Sequence, residues 1–403
     1  DFFGHSVSIS ADGSIVAIGA YENSDINGHV RVYENISGTW TQIGDDIDGA
    51  PFDQLGWSVS LSNNGSIVAI GAPYTFDGGS TKVYENISGT WTQIGATIEG
   101  EAASDMSGYS VSISGDGSTV AIGALQNDGN GDNSGHVRVY ENISGTWIQI
   151  GADIDGEAAG DWAGSSVCLN NDGSIVAVGA KTNDGNGSNS GHVRLFENVS
   201  GTWTQIGADI DGEAENDYSG TSVCLNTDGS VVAIGANYND DNGITAGHVR
   251  VYENISGTWT QMGSDIDGEI GDESGFSVSL NNDGSIVAIG APYNAEYGFA
   301  TGAARIFELL ALPTITNQPN DQTNICPGDN TFFSITGEYI DDYQWQVDEG
   351  SGFSDIVNGG IYSNATTTTL DITGVTVTLD NFQYRCIVSN SNGNLISDTA
   401  TLT

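Results

Sequence analysis

The chain is 403 residues long, sets 53 acidic side chains against 8 basic ones for a net charge of −45, and is 38% hydrophobic with 57 glycines. So few Lys and Arg exclude nucleic acid or an anionic membrane gripped through a basic face, because too few cations are present to neutralise phosphates. The apolar share suffices for packed cores, the glycines suit turns rather than helices, and no apolar run reaches the roughly 18 residues of a membrane-spanning helix.

The chain opens on Asp1-Phe2-Phe3-Gly4, with no signal-peptide pattern, which suggests a mature or excised piece of something longer. Residues 12–20 read Asp-Gly-Ser-Ile-Val-Ala-Ile-Gly-Ala, and near copies return at 64–72, 116–124, 172–180, 228–236 and 283–291. An Asp-Gly turn feeding a β-branched run is the second arm of a tight hairpin, and one such hairpin cannot bury itself. Counted from the glycine ahead of the first arm, modules begin at Gly4, Gly56, Gly108, Gly164, Gly220 and Gly275, 52 to 56 residues apart. That is a propeller period.

Each module reads as four short strands, in the third at 109–114, 118–123, 136–141 and 146–150. With no helical periodicity between them, these units predict an all-β fold, a β-propeller of six four-stranded blades over 1–311; a parallel β-helix is the alternative, although its rungs are shorter. The tryptophan strand occurs five times, at Trp40, Trp91, Trp147, Trp203 and Trp259, against six copies of the other three. The outer strand of the last blade is therefore expected from upstream sequence, with a seventh blade there as the alternative.

Six of the basic residues share one module position: Arg31, Lys82, Arg138, Arg194, Arg250 and Arg305. One cation per blade predicts a structural pair with carboxylates rather than a ligand-binding ring. The accompanying His29, His136, His192 and His248 read the same way, as parts of the repeat and not as metal ligands. Cys168 and Cys224 stand where other copies have serine and are expected as buried free thiols. The Asn-x-Ser triplets at Asn35, Asn86, Asn142, Asn198 and Asn254 are formal glycosylation sequons, but their regular placement points to a turn requirement.

The loops between the second and third strands differ from copy to copy. Asp128, Asn130 and Asp132, then Asp184 and Asn186, then Asp240 and Asn242 alternate oxygen side chains with glycines, the pattern that calcium takes and that plain turns also use. The same loops carry Tyr21, Tyr74, Phe76, Tyr238, Tyr293, Tyr297 and Phe299, and the crossovers between modules add Trp162 and Tyr218. In an up-and-down blade these segments lie at one end. Aromatics beside Asn and Asp there suit a glycan or a protein surface, unless they pack between blades. No nucleophile motif and no Cys/His zinc spacing occurs, and a repeated pattern does not build the asymmetric constellation of an enzyme.

The segments Phe3-Gly4-His5-Ser6-Val7-Ser8, Val-Ala-Ile-Gly-Ala, Gly-His-Val-Arg-Val-Tyr and Thr-Trp-Thr-Gln resemble FG-GAP repeats, the blade units of integrin-α-type propellers, over about residues 1–308. The phenylalanine survives only in the first copy; Leu55, Ser107, Ala163, Ser219 and Ser274 replace it. The resemblance implies an extracellular adhesion or recognition propeller, often holding calcium. From 312 to 403 the composition turns Thr-rich, and Cys326, Trp345, Tyr384 and Cys386 resemble the pin, core tryptophan and tyrosine corner of an Ig-like β-sandwich, as in modules of large secreted Bacteroidota proteins. That resemblance implies a Cys326–Cys386 disulfide and an oxidising compartment. The expectation is a non-enzymatic recognition module of a secreted or surface protein, without membrane insertion. A stalk or fibre unit binding neighbouring subunits is the alternative, and a carbohydrate-active enzyme is less favoured.

Overall fold

The computed structural model describes residues 2–22, 26–296, 298, 301–309, 312–390 and 393–403. Its regular structure is strand, apart from one 3-10 turn at Val377–Leu379 among the described residues. Two compact units form, one from Asp1–Gln261 and Asp265–Glu308, the other from Met262–Ser264 and Leu309–Thr403.

The first unit is a series of six antiparallel sheets, and the third shows how the repeat makes one. Ser107–Ile113, Thr119–Ala124, His136–Ile143 and Thr146–Gln149 pair in sequence order. The first turn closes because Asp116 Oδ1 accepts from the Ser118 N–H at 2.8 Å, and the last because Asn142 Oδ1 accepts from the Gly145 N–H at 2.8 Å. The latter contact recurs at Asn35, Asn86, Asn198 and Asn254, which gives the asparagine of each Asn-x-Ser triplet a turn-closing task.

Each of the first five sheets has a further short strand beyond the four expected. In the third, Ile154–Asp155 pairs with the start of His136–Ile143, while Thr146–Gln149 pairs with its end. The outer edge is thus split, because Gly151 at φ +73 turns the chain out of line between the two pieces. The sixth sheet has three strands: Ser277–Leu280, Ile286–Ala291 and Ala303–Glu308.

Neighbouring sheets are joined by repeated contacts from the inner strand to the outer. Between the third and fourth, Ser110 Oγ donates to the Gly164 carbonyl at 2.8 Å and Ser112 Oγ accepts from the Leu169 N–H at 2.9 Å. Cys168 and Cys224 take the serine's part at the next two junctions, accepting from the Leu225 and Leu280 N–H groups at 3.2 and 3.3 Å, and both are free thiols. Between second and third sheets lies a core of Val83, Val111, Ile113, Val120, Ile122 and Tyr140. Each such side chain contributes roughly 1.5–3 kcal/mol by leaving water.

At the outer edge, Trp91, Trp147, Trp203 and Trp259 each donate Nε1–H to a carbonyl of the preceding sheet at 2.9 Å. Trp147→Phe, which leaves the Ile94 carbonyl unpaired, is expected to cost about 1 kcal/mol in urea unfolding. Trp40 is half exposed and has no such bond among the described residues, so Trp40→Phe should change stability by less than about 0.5 kcal/mol.

The series leaves two sheet faces bare. Val7 and Ile9 of the first sheet are 63% and 59% exposed, whereas their counterparts Val59 and Leu61 are 9% and 8% exposed. On the sixth sheet Ile306 is 74% exposed where Val139 is at 1%.

In the second unit Asp342–Asp348 pairs with Gln383–Asn390 in one sheet, and Thr331–Ser334 with Thr369–Ile372 in another. They enclose Phe333, Trp345, Leu370, Ile372, Tyr384 and Cys386. Trp345 donates Nε1–H to the Thr367 carbonyl at 2.9 Å, and the hydroxyls of Tyr362 and Tyr384 lie 3.1 Å apart.

The Cys326–Cys386 disulfide expected from the resemblance is not formed; both are free thiols. Cys386 is buried on the strand opposite Trp345, and the side chain stacked over that region is Phe333, 4.6 Å from the Tyr384 ring. Cys326 is exposed, ahead of the strand rather than on it, with its N–H on Asp329 Oδ2. Burial pushes the Cys386 thiol up to about 12. In the folded protein at pH 8 a maleimide should therefore label Cys326 promptly and Cys386 only after unfolding, as read by peptide mass mapping.

Candidate recognition surface

The nearly invariant turns between first and second strands form a belt of backbone bonds from sheet to sheet. It runs from Ala11 to Asn63, Gly115, Asn171, Thr227 and Asn282, with N···O distances of 2.7 to 3.0 Å. The crossovers and the loops between second and third strands behave differently. Two residues before each module glycine the backbone is left-handed without being glycine: φ is 49 to 59 at Phe2, Gln54, Met106, Trp162, Tyr218 and Glu273. Such a conformation costs on the order of 1–2 kcal/mol, so the surrounding turn must impose it. It does so with the next N–H but two, Ser165 donating to the Trp162 carbonyl at 3.0 Å and Thr221 to that of Tyr218 at 3.1 Å.

These crossovers and loops wall a cleft of about 920 Å³ over the fourth to sixth sheets, lined by Trp162, Lys181, Tyr218, Tyr238, Phe276 and Tyr293 with Asn216, Asn237, Asp240, Thr245 and Glu273. Tyr218 and Tyr238 meet at 5.3 Å between ring centres, and Lys181 Nζ lies 5.5 Å from the Trp162 ring centre and 6.0 Å from that of Tyr109. Burial lowers the Lys181 pKa and raises that of Glu273. Aromatic faces beside amides, hydroxyls and a carboxylate, in a cleft of this size, can stack on one side of a ligand and hydrogen-bond along its edge.

Four of the expected aromatics, Trp162, Tyr218, Tyr238 and Tyr293, thus come together. Tyr21 and Tyr74 belong to another group around Trp57, at 4.8 and 5.3 Å from its ring, with His5 and Tyr109 completing it. Phe76 is 84% exposed and stands outside both groups. Tyr297 and Phe299 lie outside the described residues. Sequence reasoning missed Trp57, Tyr109, Lys181 and Phe276. Three of them follow the module glycine directly, in a column that reads His5, Trp57, Tyr109, Ser165, Thr221 and Phe276, and that variety was the available signal.

The acidic loops hold themselves closed. Asp128 Oδ1 accepts from the Asn133 N–H at 2.8 Å, Asp184 Oδ1 from Asn189 at 2.8 Å and Asp240 Oδ1 from Thr245 at 2.6 Å. Asn130 and Asn186 turn their amide N–H groups to the carbonyls of Gly156, Glu157, Gly212 and Glu213, and Asn242 does the same to Gly268. The Asp132 side chain is exposed. Calcium ligation by these loops would draw on the carboxylate oxygens left over and on the amide oxygens of Asn130, Asn186 and Asn242, whose N–H groups face carbonyls.

All six cations of the basic column pair with carboxylates. Arg31 grips Asp46 at 2.9 Å and Lys82 lies 3.3 Å from Asp53; Arg138, Arg194 and Arg250 approach Glu101, Glu157 and Glu213 at 3.3 to 3.7 Å, and Arg305 meets Asp272 at 3.1 Å. Burial, then the neighbouring arginine, lowers the pKa of His136, His192 and His248, that of His192 to about 4.

Residues 92–140 match the FG-GAP repeat family. Among solved structures the chain is similar to a putative 6-phosphogluconolactonase from Bacteroides uniformis, with a TM-score of 0.51 and 12% identity over 76% of this chain and 86% of that one. The fold is a β-propeller that carries an FG-GAP repeat. The β-propeller domain of the Trilobed protease from Pyrococcus furiosus, described as having an open velcro topology, is also similar, at a TM-score of 0.37 and 12% identity over 84% of this chain and 92% of that one. So is a triple arginine-to-alanine mutant of AofleA from Arthrobotrys oligospora, at 0.44 and 13% over 75% and 88%. At 12% identity the likeness to the putative lactonase extends to fold alone. No curated protein matches the chain in sequence.

Proposed function

We propose that this FG-GAP propeller is a non-enzymatic recognition module of a secreted or surface-anchored protein, binding an extracellular glycan or protein at its variable end. The observation that carries this reading is the cleft, where Trp162, Tyr218, Tyr238 and Tyr293 from four non-repeating segments face one space. The paired sheets and buried Trp345 of the second unit support an Ig-like spacer of the kind found in large Bacteroidota surface proteins. Calcium in the acidic loops is part of the proposal.

A glycan array probed with and without calcium tests it, with turnover of sugar lactones measured alongside. Saturable binding without turnover is expected. Turnover of a lactone would instead favour an enzyme, and neither binding nor turnover would count against a sugar receptor.

The bare faces favour a second reading, assembly. Were only the outer strand of the sixth sheet lacking, the inner strands of the first and sixth would still cover each other, yet Val7, Ile9 and Ile306 are all exposed. We read the ring as having room for a further repeat, either from the same polypeptide or from a neighbouring subunit. Fusing one more module ahead of Phe2 is expected to raise Tm by several degrees, about 1 kcal/mol or more; sedimentation of the unfused chain as head-to-tail oligomers would support the fibre alternative.

A further inference from the structure

We propose that the third, fourth and fifth sheets each hold one zinc-class divalent cation, at Glu101–His136–Asp153, Glu157–His192–Asp209 and Glu213–His248–Asp265. In every set the glutamate comes from the crossover out of the preceding sheet, the histidine opens the third strand, and the aspartate stands just ahead of the short outer strand. One ligand atom from each of the three lies within 4.8 Å of the others.

The buried imidazole carries the argument. His136 and His248 are each 1% exposed, and their Nδ1 atoms have no hydrogen-bond partner among the described residues. An unpaired polar atom in the interior forfeits its hydration without recovering a hydrogen bond, so something is expected to satisfy it. His136 Nδ1 faces Asp153 Oδ2 at 3.7 Å and Glu101 Oε2 at 3.9 Å; His248 Nδ1 is 3.9 Å from both Glu213 Oε2 and Asp265 Oδ2, and His192 Nδ1 is 3.9 Å from Glu157 Oε2. These gaps are too long for hydrogen bonds, which close at about 2.7–3.2 Å. Ligands about 2.1 Å from one tetrahedral ion stand roughly 3.4 Å apart, so the histidine gaps of 3.7 to 3.9 Å would close by a few tenths of an ångström, and the widest separations, within 4.8 Å, by about an ångström through side-chain rotation.

One nitrogen and two carboxylates suit a borderline ion such as Zn²⁺, whereas Ca²⁺ asks for six or more oxygens. The guanidinium of Arg138 is near, but it is taken up by the other oxygen of Glu101 at 3.3 Å, and Asp105 adds a further negative charge facing His136. Among the described residues the remaining sheets lack the set. Asp46 beside His29 is held by Arg31 through two nitrogens, and Ser80 and Ala303 occupy the histidine position in the second and sixth sheets.

Chelator-stripped protein titrated with Zn²⁺ by calorimetry, and with Co²⁺ by visible absorption, tests the proposal. Three ions per chain are expected, with the intense d–d bands of tetrahedral Co²⁺. Glu101→Gln, Glu157→Gln and Glu213→Gln together change only partly exposed side chains and should abolish all three; a single His136→Gln should remove one, and His29→Gln none. No binding at 100-fold excess Zn²⁺ would overturn the assignment. So would a count unchanged by the glutamate variants, or Ca²⁺ filling the same sites in competition.

Discussion

Gly123→Ala is expected to lower stability by about 3 kcal/mol or more in denaturant unfolding, while Gly290→Ala in the same repeat position should cost no more than about 1 kcal/mol. A Cβ on Gly123 would overlap the Gly164 carbonyl oxygen of the next sheet, a backbone atom that cannot turn aside and that already accepts from Ser110. Gly19, Gly71, Gly179 and Gly235 meet the next sheet in the same way. At Gly290 the Cβ would meet only the hydroxyl of Ser277, a side chain free to rotate. Equal losses at the two positions would show that the glycine serves the strand itself rather than the approach of its neighbour.

The second large effect belongs to the other unit. Trp345→Ala removes the largest fully buried side chain there and its bond to the Thr367 carbonyl, and should cost about 3–5 kcal/mol. Calorimetry is expected to show the transition of the second unit lowered or lost, while that of the propeller stays within a degree or two. A matching fall in the propeller transition would mean that the two units do not unfold separately.

Much of the scaffold could be read in the sequence because each contact is made four or five times over. The Gly-Ala strand end, the Ser-to-carbonyl bond and the tryptophan edge recur in register, so periodicity exposes them even where one copy would be ambiguous. The basic column was legible for the same reason, since one cation per module pointed to one carboxylate partner per module, and all six are so paired. The split outer edge was not, because a two-residue strand such as Ile154–Asp155 has no periodicity of its own and exists only through pairing with His136 and Val137. The Cys326–Cys386 pairing failed for a related reason. Spacing along a chain says which cysteines are present but not whether the first lies on the strand, and here Phe333 holds the place.

The candidate cleft was half legible. Trp162, Tyr218, Tyr238 and Tyr293 stand out because they interrupt the repeat, whereas Lys181 and Phe276 enter only because the tight left-handed turns bring crossover and loop side by side. The histidines were the reverse case. Their regularity suggested scaffold, whereas the unpaired Nδ1 of His136 and His248 is a property of burial, which the sequence does not display.

The most direct test of the account is a variant in which Trp162, Tyr218, Tyr238 and Tyr293 are all replaced by serine, compared with the native chain for melting and for binding to whatever glycan or protein the array identifies. The account predicts that binding falls at least 100-fold while Tm moves by no more than a few degrees, since these side chains line the variable end and hold no sheet to its neighbour. Binding unchanged, or lost only together with the fold, would contradict it.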